Sequence, residues 1–210
     1  MYHFTIPMAL MDYIPVAFFG IAALLLQLDL YGKMRKDAFA MFAAGTINIF
    51  LAGFLKATWK LLYAANICDF KSLDAMFFPV QSIGFLLAGI GVLAMLTCKQ
   101  SKASVMAVAP PLFSGTFVFV GLMVAGLGIM DVVLCALAAR LKMPGLIAVF
   151  AVSFLCSLCM GYLSSQDFAQ ASMNWIAEGV NVIGQGTLLL GAVLLHRNGL
   201  ADLKLRGETV

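Results

Sequence analysis

Two stretches of an otherwise apolar chain carry side chains that could bind a charged solute or move a proton. The stretch LAGFLKATWKLLYAANICDF, residues 51–70, holds Lys56 and Lys60 one helical turn apart. The stretch NWIAEGVNVIGQGTLLLGAVLLHR, residues 174–197, holds Glu178. Charged groups inside a membrane are costly unless they pair with one another or face a wet cavity. Their presence therefore predicts a polar site within the protein.

The second stretch places its polar side chains on one face of a helix. These side chains recur at spacings of 4, 3 and 4 and belong to Asn174, Glu178, Asn181 and Gln185. At about 100° per residue they lie within about 60° of one another. Because such a face cannot meet lipid, we expect it to point into a helix bundle or a cavity.

Other predicted spans supply partners for this polar face. We expect Lys56 to face an anionic group and Glu178 to act as its counter-ion or as a proton carrier, and Asp131 is the one acid expected near the bilayer centre. The candidate binding residues are Asn48, Lys56, Lys60, Tyr63, Gln81, Asp131, Glu178, Asn181 and Gln185. Two plainer interpretations stay open: Lys60 could extend to the outer lipid headgroups beside Trp59 and Tyr63, and the amides could simply join helices.

Composition defines the fold class. The chain has 210 residues, of which 63% are hydrophobic and 11% charged, and its mean hydropathy is +1.01. A soluble domain has about 25% charged residues. The apolar runs are continuous and long enough for a bilayer core of about 30 Å. We therefore predict an all-α polytopic membrane protein, with residues 1–210 forming a single transmembrane domain in the cell membrane.

The same composition bears on partners. A net charge of +3 gives no indication of a nucleic-acid partner, so membrane lipids and a small polar or ionic solute are the expected partners, and a homo-oligomer is left open. The opening residues MYHFTIPMALMDY lack the basic region of a signal peptide. We expect the first span to remain as an anchor.

The number of crossings depends on residues 103–140. Five spans are clear, at about 13–31, 37–65, 75–97, 145–164 and 174–196. The segment 103–140 fits either one long tilted helix beginning at Pro110–Pro111 or two short crossings with a turn near Gly121–Gly126. With the N-terminus outside, basic residues divide five inside to six outside for six crossings, but ten to one for seven. Because Lys and Arg favour cytoplasmic loops, we predict seven crossings with the C-terminus inside; six is the alternative.

An internal similarity also favours seven. CDFKSLDAMFFPVQSIGFLLAGIG resembles QDFAQASMNWIAEGVNVIGQGTLLLG, and Val80, Ile83, Gly84 and Gly91 recur one hundred residues later. We predict parallel repeat halves at 13–97 and 122–196, joined by a linker helix at 104–120. This three-one-three layout resembles that of the SWEET-type sugar transporters. Their proline-glutamine signature is not present, because Val80 separates Pro79 from Gln81, so membership of that family is not assigned.

Catalytic patterns are mostly absent from the sequence. The two histidines, His3 and His196, lie at the ends of the chain, and no Gly-x-Ser-x-Gly elbow or phosphate-binding glycine loop occurs. Two cysteines one turn apart, Cys156 and Cys159, do not make a metal site. The sequence therefore indicates neither a metal nor a cofactor.

We predict a small membrane transporter or channel for a polar or ionic solute, with its cavity between the second, third and last spans. Two alternatives remain. One is an intramembrane enzyme acting on a lipid or isoprenoid-like substrate, which would depend on Glu178, Asp131, Lys56 or Tyr63. The other is a non-catalytic subunit or sensor whose polar faces bind a partner helix.

Overall fold

The computed structural model describes residues 4–97, 116–163 and 171–203, and all regular structure within them is helical. The helices are α1 (Ile6–Met11), α2 (Tyr13–Leu30), α3 (Lys36–Ala64), α4 (Lys71–Ala75), α5 (Phe77–Thr97), α6 (Thr116–Arg140), α7 (Gly145–Leu163) and α8 (Ala171–Arg197), followed by a 3₁₀ turn at Leu200–Asp202. In this part of the chain six stretches are long and apolar enough to cross a membrane: Ile6–Leu30, Lys36–Ala64, Lys71–Thr97, Val118–Arg140, Gly145–Leu163 and Ser172–Arg197. The prediction of an all-α multi-pass membrane protein is confirmed.

Two prolines explain why the first and third of these stretches are each divided into a short and a long helix. Proline lacks an N–H and its ring crowds the carbonyl four residues earlier. Accordingly, α1 ends at Met11, four residues before Pro15, and α4 ends at Ala75, four residues before Pro79. Each break lies close to the point where the chain enters a long helix.

The six long helices form a closed ring. In ring order α2 packs against α3, α3 against α5, α5 against α6, α6 against α7, α7 against α8, and α8 against α2. Large apolar side chains such as Leu24, Leu28, Val132 and Leu155 are exposed on the outside. Such a surface suits lipid, which explains why the chain needs so few charged residues.

Contacts between neighbours give the direction of each helix. One end of the ring, here called the charged end, holds Asp12, Lys60 and Glu178, which form ion pairs. At the opposite end Asp29 of α2 contacts His196 of α8 at 2.8 Å. Helices α2 and α8 therefore run parallel, from the charged end to the opposite end.

The helices α5 and α6 also run parallel to each other. Gly91 of α5 lies against Ala38 and Phe42 of α3, and Gly84 against Ile49, so α5 is antiparallel to α3. By the same criterion α6 is antiparallel to α7, because a Cβ at Gly128 would meet Phe154 and a Cβ at Gly161 would meet Val120. Helix α7 is in turn antiparallel to α8, because Gly184 lies against Cys156 and Gly191 against Phe150. Both α5 and α6 therefore begin at the charged end, although they are consecutive among the described long helices.

One sequence prediction needs correction. The turn predicted near Gly121–Gly126 is wrong, because α6 is continuous from Thr116 to Arg140. Gly126 serves close helix packing instead of a turn: a Cβ there would overlap the backbone of Phe85, and a Cβ at Gly89 would lie 2.5 Å from the Gly126 carbonyl oxygen. The predicted linker helix at 104–120 lies largely outside the described residues, as does the Pro110–Pro111 pair.

The opposite half of the ring is filled by apolar side chains. Buried residues from all six long helices meet there, among them Leu30, Phe42, Val92, Leu137, Phe150 and Leu195. Proteins pack such interiors as densely as organic crystals. Within the described residues these side chains therefore form a packed apolar core across the opposite half of the ring.

The close contact between α5 and α6 gives a stability prediction. We expect Gly126→Ala to destabilise the protein by about 1–3 kcal/mol, because the added methyl group must push two helix backbones apart. The matched control is Gly121→Ala on the same helix, where a Cβ would meet nothing within 4 Å. That change should be neutral or slightly stabilising, since alanine favours helix over glycine by about 1 kcal/mol. Thermal unfolding in detergent, followed by size-exclusion chromatography, compares the two variants, and equal melting temperatures would contradict the close packing.

Candidate functional site

A cavity of about 340 Å³ occupies the charged half of the ring. All six long helices contribute to its wall, which reaches inward to the level of Phe19, Phe85, Leu127 and Gln185. Ligand sites for small molecules span about 300–1,000 Å³. The cavity is therefore large enough for a small metabolite but not for a bulky one.

An ion-pair cluster forms one wall of the cavity. Lys60 Nζ lies 2.6 Å from Asp12 Oδ2 and 3.2 Å from Glu178 Oε1. The three residues are only 8%, 7% and 6% exposed, respectively. We call these residues the Lys60 triad. It connects the start of α2, the end of α3 and the first turns of α8.

The triad differs from the sequence prediction in its pairing, because Glu178 pairs with Lys60 and not with Lys56. Lys60 is buried in the ring, which argues against the alternative that it extends to the lipid headgroups. Sequence reasoning also missed Asp12, the second carboxylate. Its signal was an acid immediately before the first predicted span and three residues before Pro15, a position expected to lie at the same membrane level as Lys60.

Lys56 faces the cavity with its ammonium group against aromatic rings. Its Nζ lies 3.9 Å from the centroid of the Phe77 ring and 5.4 Å from that of Phe78. Among the described residues, no carboxylate lies within ion-pair distance of this nitrogen. Cation–π contact offsets part of the desolvation of the ammonium group but leaves its hydrogen-bond donors available to a solute.

Several oxygen atoms around the cavity are buried without a hydrogen-bond partner in the described part of the chain. They are Asp12 Oδ1, Glu178 Oε2, Gln81 Oε1 and Gln185 Oε1. Buried polar atoms are nearly always hydrogen-bonded in folded proteins. The four side chains line the cavity, so a change of rotamer can turn these acceptors toward a solute that brings hydrogen-bond donors.

The structure brings together most of the predicted site residues. Lys56, Lys60, Gln81, Glu178, Asn181 and Gln185 all line the cavity. Asn48 is half-buried on α3 and does not line it. Tyr63 packs at the charged end, with its ring 5.8 Å from that of Phe4 and 6.1 Å from that of Trp59. Asp131 is buried one helical turn beyond Leu127.

The lining residues follow a regular register. On α4 and α5 these are Asp74, Phe77, Phe78, Gln81 and Phe85, and on α8 they are Asn174, Ala177, Glu178, Asn181 and Gln185. Each residue of the second set lies one hundred positions after its counterpart in the first. Likewise Asp12, just before α2, and Pro15, Val16 and Phe19 of α2 correspond, at a constant separation of 108, to Val120, Met123, Val124 and Leu127 of α6. Corresponding helices therefore present corresponding faces to the cavity.

Comparisons with protein-family models, curated proteins and solved structures find no match to this chain. Within the described ranges no group of three or more His, Cys, Asp or Glu residues is arranged to hold a metal ion. The chemistry of the site therefore has to be inferred from its own ammonium, carboxylate, amide and aromatic groups.

The Lys60 triad gives a second stability prediction. We expect Lys60→Met to destabilise the protein by about 3–5 kcal/mol, because it leaves two buried carboxylates without their cation. Lys56→Met is the matched control, with the same substitution one turn away. It should have a small effect, since Lys56 has no ion pair in the described structure. Thermal unfolding of both variants in the same detergent measures the difference, and equal destabilisation would contradict a buried triad.

Proposed function

We propose that this protein is a small multi-pass transporter of the cell membrane whose cavity binds a small polar solute. The observation that carries the proposal is the contrast between the two halves of the helix ring. The charged half holds a cavity with ammonium, carboxylate and amide groups, whereas the opposite half is filled by apolar side chains. A solute can thus bind at one side without meeting a continuous pore.

This contrast favours a transporter over a channel. A channel needs a water-filled path through the whole membrane when it is open. A packed core of large side chains does not open into such a path by small side-chain rotations. A transporter instead exposes its site to one side at a time, with the site near the bilayer midplane between two structural halves. The cavity floor at Phe19, Phe85 and Leu127 fits that position.

The polar groups favour a zwitterion, such as an amino acid, as the solute. The Lys56 ammonium group can bind a carboxylate, and the partnerless oxygens of Asp12 and Glu178 can bind an ammonium group. Both sets of groups line the same cavity. A zwitterion satisfies both without adding net charge to a membrane interior, where an unbalanced charge costs at least about 2.5–3.5 kcal/mol.

We infer seven crossings, with the charged end of the ring outside the cell. The parallel directions of α5 and α6 support an odd number, because the chain leaves α5 at one end of the ring and enters α6 at the other. The positive-inside rule supports the orientation. Among the described loops and helix ends, basic residues at the opposite end are Lys33, Arg35, Lys36, Arg140, Lys142 and Arg197, against Lys71 at the charged end.

We further propose that the ring consists of two parallel repeats, α2–α3–α5 and α6–α7–α8. The constant separations of 100 and 108 residues between cavity-lining positions support this. So do the crossings: Gly91 packs on Phe42 in the first unit and Gly191 packs on Phe150 in the second. The two units also meet through matching pairs, α5 with α6 and α8 with α2, as expected for a two-fold axis along the membrane normal.

The topology gives a prediction that uses a native thiol. Cys68 is a free, exposed residue in the loop after α3 at the charged end. On intact cells a membrane-impermeant maleimide should label Cys68, and Cys68→Ser should remove that label. A fluorescent protein fused to the C-terminus should be bright, because it matures in the cytoplasm. Placement of Cys68 and the C-terminus on the same side of the membrane would overturn seven crossings.

Transport itself is tested in proteoliposomes with radiolabelled alanine, glutamate, arginine and putrescine as probes. We expect uptake of alanine, a zwitterion, to fall about tenfold or more in Lys56→Met and Glu178→Gln, the equivalent of about 1.4 kcal/mol of binding or barrier energy. Asn48→Ala on α3 is the control, since Asn48 does not line the cavity, and should retain uptake. Uptake that is equal in all three variants would contradict the proposed site. Uptake of putrescine but of no other probe would show that the solute is an amine and not a zwitterion.

A further inference from the structure

Asp131 is a buried acid that the proposed solute site does not use. It lies in α6 one turn beyond Leu127, which lines the cavity floor, and seven residues beyond Val124, which lines the wall. At about 100° per residue Asp131 is within about 40° of both on the helix surface. Its side chain therefore faces the inside of the ring, directly below the cavity floor.

We propose that Asp131 binds the proton that couples transport to the transmembrane proton gradient. This inference rests on the transport function proposed above and assigns its coupling ion. The carboxyl group accepts a proton by way of water in the cavity when the floor opens toward that side. It releases the proton to water on the other side after the change of conformation, so one O–H bond forms and one breaks.

Burial without a partner is the main support for this role. Asp131 is 4% exposed, and both of its carboxylate oxygens are buried without a hydrogen-bond partner among the described residues. An ionised carboxylate in such a place costs several kcal/mol, whereas a neutral carboxyl group costs only about 1–3 kcal/mol. Burial without a partner therefore favours the neutral, protonated form of the side chain.

The other buried acids differ in this respect. Asp12 and Glu178 share Lys60, and Asp29 contacts His196 at 2.8 Å. Each of them has a basic group adjacent to its carboxyl group. Within the described ranges, Asp131 alone among the buried acids has no basic group within ion-pair distance.

No other strong acid or base faces Asp131 from the helices around it. The helices packed against α6 are α5, which has no titratable residue between Phe77 and Thr97, and α7, which has only Cys156, Cys159 and Tyr162. On α6 itself Cys135 is one turn away and Arg140 is at the end of the helix. Across the ring, α8 has no titratable residue between Glu178 and His196, and α2 has none between Tyr13 and Asp29. Protonation of Asp131 therefore depends on the hydration of this one carboxyl group.

A direct test needs no solute. Infrared spectra of the purified protein at neutral pH should contain the carbonyl stretching band of a protonated carboxylic acid, and Asp131→Asn should remove it. Asp29→Asn is the matched control, because Asp29 is also buried but paired with His196, and should keep the band. A band unchanged in Asp131→Asn would overturn the inference whether or not the protein transports any of the probes.

A coupling test uses proteoliposomes with alanine as the probe and an imposed gradient of about one pH unit. One proton per solute permits about tenfold accumulation, since one pH unit corresponds to about 1.4 kcal/mol. Asp131→Asn should lose this accumulation but keep alanine exchange without a gradient, and Asp131→Glu should restore accumulation. Gradient-driven accumulation retained by Asp131→Asn would overturn the inference alone. Absence of uptake and exchange by the unaltered protein, for all probes, would instead count against the transport function.

Discussion

The burial of Lys60 between two carboxylates is the interaction on which the charged half of the molecule depends. The triad joins the start of α2 to α3 and α8 in the wall of the cavity. Three charges within a low-dielectric interior are tolerated only when each has a close partner of opposite sign. Because the two acids outnumber the lysine, each keeps one oxygen without a hydrogen-bond partner. The same cluster that holds the helices together therefore also leaves unbonded acceptors on side chains that line the cavity.

The opposite half is held by a different principle. Lipid tails are as apolar as the side chains, so helices in a membrane associate mainly through close packing, which small residues permit. Glycines supply this packing at the interfaces of α3 with α5 and α7 with α8, where Gly91 lies against Phe42 and Gly191 against Phe150. Ion pairs hold the charged half together and glycine packing holds the opposite half. The charged half can therefore take up water, whereas the apolar core of the opposite half cannot. That asymmetry is what a site open to one side requires.

The sequence predicted the apolar spans, the polar face of the last span and six of the polar side chains in the cavity wall, since these follow from hydropathy and the 3.6-residue period. It could not predict which amine meets Glu178. Lys56 and Lys60 lie one turn apart, and choosing between them requires the tilt and rotation of α3 relative to α8, which packing alone determines. The turn predicted at Gly121–Gly126 failed because glycine permits both turns and close helix contact, and only a neighbouring helix distinguishes them. Asp12 was missed because an acid at the end of a span is more often solvated than buried.

The proposed repeats match in geometry but not in chemistry. Glu178 of α8 corresponds in register to Phe78 of α5, and Asp12 of α2 corresponds to Val120 of α6. Asp131 corresponds, by the same separation of 108 residues, to Ala23. Under the proposed repeat, matching backbones would let the two halves rock against each other with little change in their internal packing. Their unlike side chains give the cavity a charged wall and an aromatic wall. A solute with charged and apolar parts would contact both walls at once, and its binding would therefore depend on the distance between the halves. Differential contact of this kind is what a ligand needs in order to shift a conformational equilibrium.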